Sequence, residues 1–166
     1  MSRNIPESLA ALGPAIQHYQ STVDDFDRET ARLLGVNRTD QRCLEALADS
    51  GDDGLTPREI ADRLALTSGS VTTMLDRLAH AGYVSRSRHP EDGRRLIVRL
   101  TPTAGRRIWE LIGPHIAEST AVVAESFATE ELEAVRRFLE TITSVQRAHV
   151  VALRERDAFG GIEGSS

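Results

Sequence analysis

Ser68, Gly69, Ser70, Thr72 and Thr73 crowd small, mostly hydroxyl-bearing residues into one short stretch, and Arg77 follows one helical turn after Thr73. On a helix these types allow close approach, offer hydrogen bonds to phosphates or base edges, and leave the positive helix N-terminus uncovered. Arg77 can reach a phosphate or a guanine edge. A second basic group follows in Arg86, Arg88, Arg94, Arg95 and Arg99, with Asp92 two positions before Arg94. Arginines at a hairpin tip suit a narrow minor groove, where the negative potential is enhanced. A carboxylate at Asp92 can hold the Arg94 guanidinium in one rotamer through a charge-assisted fork, so less side-chain entropy is lost on entering the groove. The chemistry these residues suit is recognition of double-stranded DNA. The plainer alternatives are helix capping for Ser68, Ser70 and Thr72, and a solvated hairpin for Arg94 and Arg95.

The flanking pattern predicts the elements that carry them. Thr56-Pro57-Arg58-Glu59 is a strong helix start, with Thr56 as cap, Pro57 at the first helical position and Glu59 completing a capping box. Ile60 and Leu64 give that helix its buried face. Leu66 to Ser70 reads as a turn and a second helix start, and Val71, Met74, Leu75 and Leu78 point that second helix inward until Ala81-Gly82. Tyr83 and Val84 open a strand, His89-Pro90-Glu91-Asp92-Gly93 is a hairpin turn, and Leu96, Val98 and Leu100 alternate with Ile97 and Arg99 on the return. Helix, turn, helix and hairpin make a winged helix-turn-helix, whose second helix can lie in the major groove.

Around this centre the chain reads as helix. Residues 1–35 carry an apolar stripe of Ile16, Tyr19, Val23, Phe26, Thr30 and Leu33, with a break expected at Gly13-Pro14 and a C-cap at Gly35. Thr39 opens a short helix carrying Cys43, Leu44 and Leu47, which ends in the loop Ser50–Gly54. Ile108, Leu111, Ile112 and Ile116 mark a helix after Thr101-Pro102-Thr103, with a kink expected at Gly113-Pro114. Leu132, Val135, Leu139, Ile142, Val145, His149 and Ala152 mark another from about Thr129 to about Asp157. The fold class is therefore mainly α with a small β-hairpin wing. The expected division is a dimerisation helix in 1–36, the DNA-binding domain in 37–101, dimerisation helices in 102–159, and a disordered tail in 160–166.

The net charge of −5 argues against a nucleic-acid partner until its distribution is read. Thr56 to Thr101 carries eight Arg against five acids, and the remainder twelve Arg against twenty acids. The positive excess thus lies in the segment that bears the candidate residues. A single cysteine excludes an intramolecular disulfide, no apolar stretch is long enough to span a bilayer, and no signal peptide is evident, so a cytoplasmic protein without membrane contact is expected.

Other chemistry finds little support. There is no G-x-S-x-G, no phosphate-binding loop and no convergent acid pair, so no enzyme activity and no cofactor are expected. The five histidines lack metal-ligand spacing, and no metal is expected. Cys43 shares a helix face with Leu44 and Leu47 and, although Arg42 adjoins it, reads as a buried structural thiol rather than a redox sensor. His18, Tyr19, Trp109 and His115 are candidates to line an effector pocket, against the alternative of ordinary packing.

The segment Leu55 to Thr101 resembles the MarR family of bacterial regulators. The resemblance rests on Leu55-Thr56-Pro57-Arg58-Glu59-Ile60-Ala61, Leu66-Thr67-Ser68-Gly69-Ser70-Val71-Thr72, Asp76-Arg77-Leu78 and Gly82-Tyr83-Val84-Ser85-Arg86. Its most specific part is the wing, Asp92-Gly93-Arg94-Arg95 followed by Val98-Arg99-Leu100-Thr101. It implies a homodimer interlocked through its end helices, binding to a pseudo-palindromic operator, repression of nearby genes, and release by a small aromatic or phenolic effector. Together with the residue chemistry above, this gives Ser68, Gly69, Ser70, Thr72, Thr73, Arg77, Arg86, Asp92, Arg94 and Arg95 as the expected DNA-binding residues. Gly93 departs from the pattern, because the family often has an arginine there, and Arg95 can compensate. Two competing readings are a protein-interaction module on the same scaffold and a redox-responsive regulator using Cys43.

Overall fold

The computed structural model describes residues 6–88 and 95–160, with side chains described as far as Arg154. In chain order the elements are α1 (Glu7–Leu34), α2 (Arg38–Asp49), a short 3-10 turn (Gly51–Asp53), α3 (Pro57–Leu64), α4 (Ser68–His80), β1 (Val84–Arg88), β2 (Leu96–Leu100), α5 (Pro102–Ser126) and α6 (Thr129–Gly160). The mainly helical architecture with an antiparallel hairpin is the one the sequence pattern implies. The chain divides into two compact units, Met1–His115 and Ile116–Ser166, and the boundary falls within α5. Ala104 at the start of α5 belongs to the core of the first unit, and Ile108 and Leu111 pack against it.

That core is built by the winged helix and its neighbours. Leu44 and Leu47 from α2, Ile60 and Leu64 from α3, and Val71, Met74, Leu75 and Leu78 from α4 are buried together with Tyr83, Val84 and Val98. Each large aliphatic side chain so buried stabilises the fold by roughly 1.5–3 kcal/mol. The capping box at α3 forms as expected, with the Glu59 amide donating to Thr56 Oγ1 at 3.2 Å and the Thr56 amide donating to Glu59 Oε2 at 2.7 Å.

The hairpin pairs Val84 with Leu100, Arg86 with Val98 and Arg88 with Leu96. Leu55 adds a bridge on the far side of β2, exchanging hydrogen bonds with Val98 at 2.9 and 2.8 Å. Gly54 makes this approach possible. Its φ is +68°, and a Cβ there would meet the Val98 carbonyl oxygen at 2.5 Å and Ile97 Cγ2 at 2.8 Å. This segment covers one face of β2, which explains why both Ile97 and Val98 are buried while Leu96 is exposed, in place of the strict alternation expected.

Two helix details differ from expectation. α1 runs unbroken through Pro14, where a break is expected, and α5 likewise continues through Pro114, where the expectation is a kink within one helix. Proline clashes with the Cβ of the residue before it, and in both cases that residue is a glycine, Gly13 or Gly113, which has none. Both prolines are exposed, so water can satisfy the freed carbonyl four residues back. α2 starts earlier than Thr39, because Asn37 caps it through Oδ1, which accepts from the Asp40 amide at 2.9 Å.

The end of α1 is tied down by side chains. Gly35 caps it in the left-handed region at φ +70°. The buried Tyr83 hydroxyl donates to the Leu34 carbonyl at 2.5 Å, and Arg107 donates to the Leu33 carbonyl at 3.2 Å. In the second unit, α6 begins as expected at Thr129, with the Glu131 carboxylate accepting from the Ala128 amide at 2.8 Å. The hairpin turn His89–Gly93 and most of the tail expected in 160–166 lie outside the described residues. Among the described residues, no helix is long and apolar enough to cross a membrane.

Candidate nucleic-acid interface

The turn between α3 and α4 is tight. Ala65 ends α3 in the left-handed region at φ 56°, and Thr67 caps α4, its Oγ1 accepting from the Ser70 amide at 3.2 Å. Val71, Met74, Leu75 and Leu78 then hold α4 to the core, so its opposite side must face out. Ser68, Gly69, Ser70, Thr72, Thr73 and Arg77 are all exposed there. A Cβ at Gly69 would meet nothing within 4 Å, so nothing inside the chain requires glycine at that position.

The hydroxyls on this face are partly committed. Thr72 Oγ1 donates to the Ser68 carbonyl at 3.0 Å and Thr73 Oγ1 to the Gly69 carbonyl at 3.2 Å. The Ser70 hydroxyl lies 2.9 Å from Thr67 Oγ1. Back-bonding spends the threonine protons but leaves their oxygen lone pairs and methyl groups outward. Those groups suit acceptance from a cytosine amino group and contact with a thymine methyl. Both capping and an outward face are therefore served by the same stretch, and the capping residue itself is Thr67 rather than Ser68.

A groove of about 780 Å³ runs beside this face, between Asn37, Arg38 and Thr39 at the start of α2 and Gly69, Ser70, Thr73 and Arg77 of α4. Arg77 is not a free cation. Its Nε and Nη2 fork onto Asp40 at 2.8 and 2.5 Å, which raises its pKa, and Asp40 is only 2% exposed. Asp76, the preceding residue, pairs with Arg86 of β1 at 2.6 Å.

On the wing, Arg99 donates to the Asp52 carbonyl at 2.7 Å and to Ser87 Oγ at 2.9 Å, so it braces the hairpin's base. Arg95 is exposed and near the start of α3. The Glu59 carboxyl is held below its ordinary range first by the Thr56 amide and hydroxyl, and to a smaller degree by Arg95 and Arg63. Asp92 and Arg94 lie outside the described residues, and with them the expected fork between the two. Sequence reasoning missed Asp40, Asp76 and Thr67. Thr67 sits in the capping position of the turn and could have been found from that alone, whereas Asp40 lies 37 positions from Arg77.

The residues singled out for an effector pocket are spread over α1 and α5. His18 is exposed and Tyr19 is 70% exposed. Trp109 is 62% exposed and lies over Gly113, where a Cβ would meet its ring at 3.0 Å. His115 stacks at a tilt on Phe26, with ring centroids 4.6 Å apart. None of the four lines the groove beside α4. Cys43 is fully buried, and desolvation, with Asp40 adding, pushes its thiol up to about 12.

Comparison with known proteins agrees with this geometry. A family model described as the MarR family matches residues 34–95. The HTH-type transcriptional regulator YcgE of Bacillus subtilis, itself uncharacterized, is 30% identical over 130 residues, covering 78% of this chain and 82% of that protein. The HTH-type transcriptional repressor YetL, also of Bacillus subtilis, is 34% identical over 97 residues, 58% of each chain. Among solved structures, Escherichia coli MarR without ligand aligns with a TM-score of 0.53 and 23% identity over 85% of this chain and 98% of that one. YusO of Bacillus subtilis aligns with a TM-score of 0.57 and 20% identity over 85% and 99%. These structural likenesses speak for the fold, and the sequence matches carry the assignment further: the chain belongs to the MarR family of DNA-binding transcriptional regulators.

Proposed function

We propose that the protein is a homodimeric repressor that binds a pseudo-palindromic operator through α4 and the wing and is released by a small aromatic or phenolic effector. The observation that carries the DNA reading is the outward face of α4, where small hydroxyl-bearing residues and an unencumbered Gly69 are exposed beside a groove edged by arginines. Ser68, Gly69, Ser70, Thr72 and Thr73 then face base edges. Arg86, Arg94 and Arg95 neutralise phosphate or enter the minor groove, with Asp92 orienting Arg94. A DNA target sets the cytoplasm as the place of action.

Dimerisation is supported by the apolar side chains left exposed outside the winged helix. Leu9, Leu12, Val122, Val135, Leu139 and Val145 are among them, and such patches on a folded chain mark an interface. A two-fold dimer would set two α4 helices about 34 Å apart, one turn of DNA. Repression is supported by the relative named as a repressor. The effector reading rests on the exposed aromatic rings of Tyr19 and Trp109, with His18 and His115 nearby in sequence. A thiol switch is disfavoured by the burial of Cys43.

The test is titration of the purified protein against duplex from its own upstream region, beside a random duplex, at several salt concentrations and with phenol or salicylate added. Specific binding roughly 10³-fold tighter than random, falling steeply with salt and weakened by Arg95→Ala, is the expected result. Absence of binding to any duplex at low salt by the folded protein would sink the DNA reading. Binding that no phenol disturbs would remove only the effector.

A further inference from the structure

α4 is held on its two flanks by ion pairs of opposite sense at consecutive positions. Arg77 reaches back to Asp40 on α2, and Asp76 reaches across to Arg86 on β1. Successive residues on a helix point about 100° apart, so the two pairs grip different sides of the same turn. They are unequal. The Asp76–Arg86 pair is largely in solvent, with side chains 60% and 32% exposed. In the other pair the carboxylate is buried and both of its oxygens are engaged by one guanidinium.

A buried carboxylate has few ways to be satisfied. Asp40 sits in the first turn of α2, where the helix dipole favours its charge, and its amide is already bound to Asn37. Its two oxygens take the planar fork of Arg77, which only a guanidinium supplies. The fork fixes the Arg77 rotamer and adds a tie to α2 beside the buried side chains that set the roll of α4 about its own axis. That roll decides which of Thr72, Thr73 and Gly69 face a base edge.

Resting on the DNA-binding role of α4 proposed above, we infer that Asp40 is a positioning residue for sequence readout, and that Arg77 acts on DNA through Asp40 by orienting α4 rather than by contacting phosphate. The two roles predict opposite responses. Asp40→Asn removes a negative charge beside a DNA-binding face, so simple electrostatics would tighten binding to any duplex. Loss of the fork would instead weaken binding to the operator alone.

The experiment measures affinity of the full-length dimer for its operator and for a random duplex across a range of salt, with circular dichroism to confirm folding. Asp40→Asn is expected to weaken operator binding roughly tenfold, the scale of one lost base contact, while random-duplex affinity stays level or rises. Arg77→Lys keeps the charge but cannot make the fork. It is expected to show a similar operator-specific loss, with the slope of log affinity against log salt unchanged. This second variant carries the test if Asp40→Asn does not fold. Arg77→Lys at wild-type affinity, or Arg77→Ala lowering the slope by ~0.9 per protomer with both duplexes equally affected, would make Arg77 a phosphate contact and overturn the inference. Equal weakening of both duplexes by Asp40→Asn would overturn it in favour of a purely structural pair. A wild-type protein that does not prefer its operator to random DNA fails before any variant is compared, which marks failure of the DNA reading itself.

Discussion

Leu75 on α4 and Leu139 on α6 both lie on apolar stripes with the same three- and four-residue spacing, yet Leu75 is 2% exposed and Leu139 is 52% exposed. The contrast extends to the elements around them. Cys43, Ile60 and Val98 in the winged helix are wholly buried, whereas Val122, Val135 and Val145 on the last two helices stand in solvent at 40% exposure or more. One kind of periodicity thus marks two different things. In the winged helix it reports a core that the chain closes on itself. In the end helices it reports a face the chain leaves open, which is the face the proposed dimer would cover.

The largest expected effect tests that distinction directly. Leu139→Glu places a charge on the open face and is expected to convert the proposed dimer to monomer in sedimentation equilibrium, with operator binding lost more than about 100-fold because two half-sites are no longer held together. Leu75→Ala is expected to do the reverse. It should lower the stability of the fold by about 2–5 kcal/mol, as truncation of a buried leucine does, without changing the subunit mass of whatever remains folded. If Leu139→Glu leaves the mass unchanged, the open face is not the dimer surface and the contrast means something else.

A smaller effect sharpens the picture of the closed region. Gly54 occupies a left-handed backbone and lies against the Val98 carbonyl. Gly54→Ala adds both backbone strain and a clash with main chain, so the Leu55–Val98 bridge must open. A loss of about 3 kcal/mol is expected, at the high end for strained positions. Urea unfolding with the same denaturant slope and a lower midpoint would bear this out, and a midpoint within experimental scatter of wild type would show that the segment can relax away.

How much of this was legible in the sequence follows from the range of the forces involved. Local chemistry was readable: the capping box at Thr56–Glu59, the inward stripe of α4 and the C-cap at Gly35 all depend on residues a few positions apart. The break expected at Gly13-Pro14 in α1 does not form, because the proline rule assumes a Cβ on the preceding residue and Gly13 has none. The burial of Ile97 depends on a segment some forty residues earlier in the chain, and the Asp40–Arg77 fork joins residues 37 apart. No periodicity reports such pairs. On α4 the sequence therefore showed which residues face outward but not which of them the fold had already engaged, and Arg77 is the residue where that matters.

The smallest effect at neutral pH concerns Cys43, which separates a closed core from a responsive one. Its thiol is pushed up to about 12 by burial, with the Asp40 charge adding, whereas a thiol in the unfolded chain ionises near 8.5. The folded state therefore keeps a proton that the unfolded state releases. The stability this contributes is fully present below about pH 8.5 and is lost as pH rises through the folded value. Wild type is expected to lose more stability than Cys43→Ala between about pH 8 and pH 10.5 in urea titrations, and the two should show similar slopes of stability against pH below that window. A disulfide reagent at about pH 8 should label Cys43 no faster than the chain opens, because only the thiolate is nucleophilic. Rapid labelling of the folded protein would mean that the thiol is accessible after all, and would return a peroxide-driven release of DNA to consideration. Slow labelling would mean that oxidation at this position can act only by way of unfolding, which damages the regulator rather than switching it.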